Sequence, residues 1–285
     1  MSERRDVRKY TFTVEGETEQ WYLLWLRDQI NACSKRKADV SVVVKVQQSP
    51  KKYAKSVITK ATPSITHICD VESNDPVHVE KLQRILSEMK EAKDLKNINY
   101  ELGYSNFTFE LWMVLHKKTF NSPLAHRTQY LEPINQAFGE RFEDLDHYKR
   151  EDNFKRCLSK LTLDDVKSAI SRAEIITDSN KTDGKTIIRY KGFSYYRDNP
   201  ALSIHEAVHK MMIDCGLMDM FSTGASTIES GGETRKKSIS RSTVELGYRR
   251  AREMGVVKGP KALGIPGAGS YLYPIFLRLG VCLAE

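Results

Sequence analysis

The sequence predicts an α/β protein with a doubly wound, mainly parallel sheet. Four apolar segments of strand length, at residues 10–14, 38–46, 64–69 and 98–103, alternate with segments whose apolar residues recur at helical spacing. The second segment, ADVSVVVKV, is almost continuously β-branched, which is typical of a strand buried on both faces of a parallel sheet. Parallel strands joined through helices produce a doubly wound domain with right-handed crossovers.

The first four strands and their helices follow one another without long interruptions. Residues 10–14 (YTFTV) alternate apolar side chains with threonine and lead into an apolar helix over 21–30. A basic helix over 51–60 is expected to end before Pro63, and an amphipathic helix is expected over 77–92. The fourth strand is followed by an apolar helix over 107–116.

The strand pattern fades after residue 117. Charged helix-like segments at 132–138, 144–158 and 163–173 predict a helical insertion over about 117–176, and a polar loop (177–185), a strand (187–196) and a helix (199–215) are expected next. We therefore predict one domain over residues 1–221, and a linker with a basic C-terminal extension over 222–285. The extension should hold a helix that Gly255 closes, and its apolar segment 271–282 should dock on a core or on a second copy of the chain.

Composition indicates a soluble globular protein with an anionic partner. The 285 residues are 40% hydrophobic and 29% charged, with a formal net charge of +8. Nucleic acid is favoured over a membrane surface because no amphipathic basic helix stands out. No apolar run is long enough for a membrane span, and the charged N-terminus is unlike a signal peptide, so a cytoplasmic location is expected.

Acidic residues follow the predicted strand ends. Glu15 ends the first strand, Asp70 and Glu72 end the third, and Glu19 begins the first helix. The ends of parallel strands meet at one edge of a sheet, where such folds bind ligands. Carboxylate oxygens are the ligands of Mg²⁺ and Mn²⁺, so a metal site for phosphoryl chemistry is predicted. The alternative is helix capping, with Thr18 as N-cap and acidic residues in the first turn.

Proton transfer at such a site requires a group that can accept or donate a proton. Glu15 is the first candidate, because it lies where a metal-bound water would be deprotonated. Glu110 and His116 on the apolar helix are candidates to complete the site as ligand or proton donor, with a structural role as the alternative.

A competing motif lies further along the chain. His205, Glu206 and His209 form a His-Glu-x-x-His pattern, which places two histidines on one helix face as in zinc peptidases. Glu229 is a candidate third ligand. The pattern is short, and residues 222–232 predict no helix to carry that ligand, so a helix packed on the sheet is favoured over a peptidase site.

The C-terminal extension is the predicted nucleic-acid-binding segment. Its cations outnumber its acids and are interleaved with hydroxyl and glycine residues, an arrangement that suits phosphate binding without base readout. The candidate residues are Arg235, Lys236, Lys237, Arg249, Arg250 and Arg252. The alternative is a solvated helix face.

Several motifs together resemble known families. Glu-Gly-x-Thr-Glu followed by a strand ending in Asp-x-Glu is similar to a Toprim domain, although Glu72 stands where Toprim has aspartate. The segments EGETE (15–19), ICDVE (68–72), SNFTFELWMVLH (105–116) and NPALSIHEAVHKM (199–211) resemble the RloB-like family over about residues 10–215, with Phe107 in place of its proline.

The resemblance implies a Toprim-like fold and a Mg²⁺-dependent or Mn²⁺-dependent nuclease linked to prokaryotic antiviral defence, acting on DNA or on RNA such as tRNA. The metal ligands would be Glu15, Glu19, Asp70 and Glu72, and the catalytic residues Glu15, Asp70, Glu72 and His116. The chain has no phosphate loop, so an ATPase sensor would be a separate protein partner. The alternative function is a non-catalytic basic module that binds nucleic acid or recruits a partner.

Overall fold

The computed structural model describes residues 5–58, 63–218, 226–227, 238–239, 241–265, 268–278 and 283–284. The chain divides into two compact units, Met1–Met218 and Asp219–Glu285. The first unit carries the sheet and the acidic residues, and the second carries the helical part of the C-terminal segment.

Strands and helices alternate through the first part of the first unit: β1 Val7–Val14, α1 Glu17–Ala32, β2 Asp39–Val46, α2 Pro50–Ser56, β3 Ser64–Asp70, α3 Pro76–Lys96, β4 Asn99–Asn106 and α4 Glu110–Leu115. Helical segments follow: a 3₁₀ turn Arg127–Tyr130, α5 Leu131–Phe138, α6 Leu145–Lys149, α7 Glu151–Ser159 and α8 Leu163–Thr182. The unit ends with β5 Ile187–Tyr190, β6 Phe193–Tyr196, β7 Ala201–Leu202 and α9 Ile204–Asp214.

A five-stranded sheet with the order β2-β1-β3-β4-β7 forms the centre of the unit. The first four strands are parallel, and β7 is antiparallel to β4. Val14 lies opposite Ile68, and Asp70 lies opposite Ser105. The carboxyl ends of β1, β3 and β4 therefore meet at one edge, as predicted for the first and third strands. The mostly parallel α/β class is confirmed.

Each face of the sheet is covered by its own hydrophobic core. Side chains of a strand alternate between faces, so Ile65 and Cys69 of β3 pack with Leu86 of α3, while Ile68 packs on the opposite face with Leu23 of α1 and Trp112 of α4. Both layers contain fully buried residues, and deletion of a large one costs about 3–5 kcal/mol. The acidic edge is thus held between two packed layers.

Three predicted elements were wrong in extent. The helix expected over 199–215 begins only at Ile204, because Ala201 and Leu202 pair with β4 as β7. The polar segment 177–185 is mostly helical, because α8 continues to Thr182. The helix begins with a capping box at Thr162, and its buried positions continue as far as Asn180. The predicted strand over 187–196 is a hairpin of β5 and β6, which turns at Lys191 and Gly192 with left-handed φ of 53° and 91°. Short polar runs do not distinguish a helix end from a loop.

The second unit is built around two helices. They are α10 Arg241–Met254 and α11 Gly269–Arg278, with β8 Ser226–Thr227, β9 Ser238–Ile239, β10 Val256–Val257 and β11 Leu283–Ala284. Gly255 follows α10 with a φ of 65°, as the predicted helix stop requires. Leu263, Leu272 and Phe276 belong to its core. No helix in the described ranges is long and apolar enough to cross a membrane.

Three histidines are buried in the first unit. Burial lowers the pKa of His67 to about 3 and the pKa of His116 and His205 to about 4. The folded chain therefore keeps neutral imidazoles at a pH where the unfolded chain protonates them. Their contribution to stability is present above the unfolded pKa of about 6.5 and is lost as the pH falls towards the folded value.

We expect His116→Gln to reduce the acid sensitivity of the fold. The free energy of unfolding falls as the pH is lowered from about 7 to about 5. This fall should be about 2 kcal/mol smaller in the variant than in the wild type, since one protonation linked to unfolding is removed. Urea titrations at both pH values measure this difference. Exposed His126 provides the control, because His126→Gln should retain the wild-type difference. Equal pH dependence of His116→Gln and wild type would contradict the assignment.

Candidate active site

Glu15, Asp70 and Glu72 are brought to the same edge of the sheet. Glu15 is the first residue after β1, Asp70 is the last residue of β3, and Glu72 lies two residues further. The Oε2 of Glu15 accepts a hydrogen bond from the Asp70 backbone amide at 3.2 Å. The neighbouring parallel strands therefore produce the predicted proximity of these residues.

Lys81, which was not predicted from the sequence, connects two of these acids. Its Nζ lies 3.3 Å from Oε1 of Glu15 and 2.7 Å from Oε1 of Glu72. His78 Nε2 lies 3.1 Å from the other oxygen of Glu72. Burial alone would raise the pKa of Glu72, but the hydrogen bond and charge of Lys81 outweigh burial and lower it. We call Glu72, His78 and Lys81 the outer group.

The backbone at Glu72 is turned into the left-handed region, with a φ of 58°. This conformation costs a non-glycine residue about 1–2 kcal/mol. The Glu72 amide donates to the carbonyl of Phe107 at 2.9 Å, which fixes the turn against the loop after β4. The turn directs the Glu72 carboxylate towards α3, where Lys81 and His78 lie.

Asp70 belongs to a second set of charges. The pKa of Asp70 is raised well above its ordinary value, mainly by burial. The charges of Glu19, Glu110 and Glu15 raise it further, whereas the charge of Lys149 lowers it. Side-chain alternation along β3 explains the separation, because Asp70 shares the face of Ile68, on which α1 and α4 pack. We call Glu19, Asp70, Glu110 and Lys149 the inner group.

Glu19 lies on the buried face of α1 and is 6% exposed. Its pKa is raised, first by burial and then by the charge of Glu110. A Cβ at Gly16 would lie 3.0 Å from Oε2 of Glu19, so the glycine leaves room for this carboxylate. The alternative in which Thr18 is the N-cap was wrong: Gly16 is the N-cap, and Thr18 Oγ1 donates to Glu19 Oε2 at 3.0 Å.

Glu110 and Lys149 complete the inner group. Glu110 begins α4 and is fully buried, and Lys149 Nζ from α6 lies 3.1 Å from its Oε1. Burial alone would lower the pKa of Lys149, but the charges of Glu110 and Asp70 raise it. The sequence indicated Glu110 only as an alternative to His116, and Lys149 lies in the helical insertion without a motif that marks it.

His116 is engaged inside the core. Its Nε2 lies 3.1 Å from the hydroxyl of Tyr22, and its Nδ1 lies 2.9 Å from the carbonyl oxygen of Trp112. Both ring nitrogens therefore have structural partners. Neither of these partners is one of the carboxylates, so a role of His116 in completing the site stays a prediction.

The His-Glu-x-x-His segment lies in α9. His205 is 4% exposed, and His209 Nδ1 lies 3.5 Å from Glu174 Oε1 of α8. Glu229, the candidate third zinc ligand, lies outside the described residues. These contacts agree with a helix that packs beside the sheet.

The candidate nucleic-acid-binding cations have different positions. Arg235, Lys236 and Lys237 lie outside the described residues, while the remaining three, Arg249, Arg250 and Arg252, lie in α10. Arg250 Nη1 donates to the carbonyls of Leu263 and Gly264 at 3.0 and 2.7 Å, so its guanidinium stabilises the loop after β10. Arg252 is exposed, with its guanidinium carbon 5.9 Å from the centre of the Tyr248 ring.

The described side chains at this edge supply the oxygen atoms that a hard divalent cation prefers, but they are not arranged around a common cation position. Within the described ranges, no three His, Cys, Asp or Glu side chains are arranged so that they could hold a metal ion, and Lys81 and Lys149 contact the carboxylates instead. The acids supply oxygen atoms, which Mg²⁺ and Mn²⁺ prefer. Oε1 of Glu15 and Oε1 of Glu110 each have a lysine ammonium beside them, whereas the buried Oε2 of Glu110 accepts no hydrogen bond from the described residues.

We expect Lys81→Met to lower stability without a divalent cation and to increase its response to one. Removing the ammonium leaves Glu15 and Glu72 without their shared positive charge, which should cost about 1–2 kcal/mol in EDTA. Added Mg²⁺ should recover more stability in the variant than in the wild type, measured by thermal unfolding. Lys117→Met is the matched control, because Lys117 pairs with Asp165 and is 27% exposed against 31% for Lys81. An identical Mg²⁺ response of Lys81→Met and wild type would contradict this expectation.

The comparison with known proteins agrees with the motifs at this edge. A family model described as RloB-like protein matches residues 10–211, which include the acids of both groups and the lysines that pair with them. No curated protein and no solved structure matches the chain. Since the matched segment covers more than half of the sequence, the chain belongs to the RloB-like protein family.

Proposed function

We propose that this protein is a divalent-metal-dependent nuclease with a Toprim-like catalytic domain, acting on DNA or RNA in antiviral defence. The observation that supports it best is the meeting of Glu15, Asp70 and Glu72 at adjacent carboxyl ends of parallel strands, where the Lys81 ammonium contacts Glu15 and Glu72. Family membership supports the same reading through the resemblance to Toprim nucleases.

Glu15, Asp70 and Glu72, with Glu19 behind them, are the residues that would hold Mg²⁺ or Mn²⁺. A bound divalent ion neutralises a phosphodiester and lowers the pKa of water. In this proposal Glu15 accepts the proton of the attacking water, because its carboxylate contacts both the Asp70 backbone amide and Lys81. Lys81, which already contacts Glu15 and Glu72, can bind a phosphate oxygen as a point charge.

We expect Glu15→Gln and Asp70→Asn each to reduce nuclease activity by about 10³-fold, because both remove a carboxylate charge with little change in volume. Activity should be measured on duplex DNA, single strands and total tRNA with Mg²⁺, Mn²⁺ or EDTA. Glu140→Gln is the control, since Glu140 is engaged by Arg156 and Lys160.

Wild-type cleavage by either site variant would refute the proposed nuclease. Binding of nucleic acid that persists in EDTA, without cleavage in any metal, would support the non-catalytic module instead.

We further propose that the C-terminal segment supplies sequence-independent affinity for the substrate backbone. The structure refines the cations to be tested, because Arg250 is engaged by loop carbonyls whereas Arg252 is exposed. The candidates are therefore Arg235, Lys236, Lys237, Arg249 and Arg252.

Replacing these five cations by alanine should flatten the logarithmic salt dependence of duplex binding by about 4.5 units, since each phosphate contact contributes about 0.9. Cleavage at saturating substrate should persist. Arg250→Ala serves as the comparison, with lower thermal stability and an unchanged salt slope expected. A wild-type slope in the five-alanine variant would exclude this segment as the binding surface.

A further inference from the structure

A cavity, which we call the hairpin cavity, lies between the loop after β3, helix α3 and the hairpin of β5 and β6. Its volume is about 150 Å³, and Val71, Leu82, Ile188 and Tyr195 form its apolar walls. Ile188 and Tyr195 are opposite one another in the hairpin and therefore project from the same face. The Tyr195 ring makes an edge contact with Tyr104, with 6.2 Å between the ring centres, so the core supports these walls.

Polar side chains that reach solvent also line the hairpin cavity. Asn74 and Arg197 are exposed, and Gln83 is half-buried. The side-chain amides of Asn74 and Gln83 form no hydrogen bond with the described residues, so each still offers a donor and an acceptor. The Arg197 guanidinium is 50% exposed and lies 3.5 Å from Asp198, and such an exposed ion pair holds a cation only weakly. An apolar interior is thus combined with free amides and a cation.

Hydrogen bonds connect the hairpin cavity with the acidic edge of the sheet. Ser73 lines the cavity and directly follows Glu72 in the chain. Its Oγ lies 2.7 Å from Nδ1 of His78, and Nε2 of the same imidazole lies 3.1 Å from Oε2 of Glu72. Val71, which precedes Glu72, belongs to the cavity wall. A molecule in this cavity therefore lies next to a residue of the proposed active site.

We propose that the hairpin cavity binds one unstacked nucleobase of the substrate, and that a pyrimidine fits it best. This assignment rests on the proposed nuclease function and names the part of the substrate that is recognised. An apolar cavity of about 150 Å³ accommodates one six-membered aromatic ring, whereas pockets for whole small-molecule ligands have volumes of about 300–1,000 Å³. The volume therefore favours a base that is attached to a nucleic-acid strand over a free nucleotide.

The chemistry of the lining residues agrees with a nucleobase. Proteins bind unstacked bases against aromatic or apolar side chains and read their polar edges through hydrogen bonds. In the hairpin cavity Tyr195 and Ile188 supply the apolar surface, and the Gln83 amide supplies a donor and an acceptor for the edge of the base. The Arg197 guanidinium is available to a phosphate of the same strand. The strand would then pass Glu72 at the acidic edge.

Oligonucleotide binding in EDTA tests the assignment in the absence of cleavage. Fluorescence anisotropy of the full-length protein should be measured with pyrimidine, purine and abasic strands of equal length, each as DNA and as RNA. The wild type should bind the pyrimidine strand at least about 5-fold more tightly than the abasic strand, because contact with a base adds affinity while the phosphates are the same. The purine strand should bind with an affinity between these two.

Two variants attribute this preference to the hairpin cavity. Ile188→Phe fills the cavity, so its affinity for the pyrimidine strand should fall to that for the abasic strand. Gln83→Ala removes one amide and should weaken pyrimidine binding about 2–10-fold, with abasic binding unchanged.

Ile187→Phe and Gln29→Ala are the matched controls and should keep the wild-type preference. Ile187 is 45% exposed and lies on the other face of the hairpin from Ile188. Gln29 is a half-buried glutamine of α1 whose amide, like that of Gln83, forms no hydrogen bond with the described residues.

The outcomes separate this assignment from the proposed function. Equal binding of pyrimidine and abasic strands by the wild type, or a wild-type preference in both cavity variants, would overturn the assignment, whereas cleavage of the same strands with Mg²⁺ would leave the proposed nuclease intact. Base-dependent binding that both variants lose, without cleavage in any metal, would refute the nuclease and retain the base-binding cavity. If thermal unfolding shows that Ile188→Phe does not fold, Gln83→Ala alone decides.

Two further results bear on which ligand the cavity takes. Tighter binding of the purine strand than of the pyrimidine strand would overturn the assignment to a pyrimidine. Competition with free pyrimidine nucleotides distinguishes the two sources of a base: a free nucleotide that binds more tightly than the strand would identify a small-molecule ligand and overturn the assignment to the substrate.

Discussion

Negative charge is concentrated at the carboxyl edge of the sheet, and the surrounding helices supply the positive charges that balance it. Five carboxylates reach this edge from strand ends and helix starts, and burial makes their mutual repulsion costly. Lys81 of α3 balances the charge on one face and Lys149 of α6 balances it on the other. Two helices that are distant in sequence therefore both neutralise negative charge at this edge.

The two groups differ in how strongly they are solvated. The outer group lies beside a turn with a left-handed residue, and the side chain of its acid, Glu72, is 17% exposed. The inner group lies beneath α1 and α4, where Glu19 and Glu110 are almost without solvent. Charge can therefore enter or leave more easily on the outer side, while the inner side keeps acids in a low-dielectric environment.

Sequence patterns were sufficient for the four parallel strands and for the acids at their ends, because alternation and β-branched runs determine strand faces locally, but the two-residue β7 was too short to show such a pattern. Thus Glu15, Asp70 and Glu72 could be placed together before any coordinates. Lys81 and Lys149 could not, because their partners depend on helix orientation and on a connection through the insertion. The long α8 was also underestimated, since its last turns are polar while its buried positions remain helical in spacing.

Two predicted site residues have partners that the sequence does not reveal. His116 was a candidate because it lies on the apolar helix after the fourth strand, and its two ring nitrogens contact the Tyr22 hydroxyl and the Trp112 carbonyl. Arg250 looked like a phosphate ligand, but its guanidinium caps loop carbonyls. In both residues the polar group contacts a backbone carbonyl or a core side chain, and these partners cannot be identified from the linear sequence.

Side chains alternate between the two faces of the sheet along β3, so the face on which Asp70 lies depends on the number of residues in this strand. Asp70 and Glu72 are two residues apart, yet the turn at Glu72 leaves one acid with α1 and α4 and the other with α3. Insertion or deletion of a single residue in β3 would reverse the faces of every side chain beyond it and place Asp70 among the lysine and histidine of α3. Seven paired positions between β3 and β4 oppose such a shift. Length variation among related chains should therefore occur in the loops that flank this strand, with the count of residues inside the strand held constant.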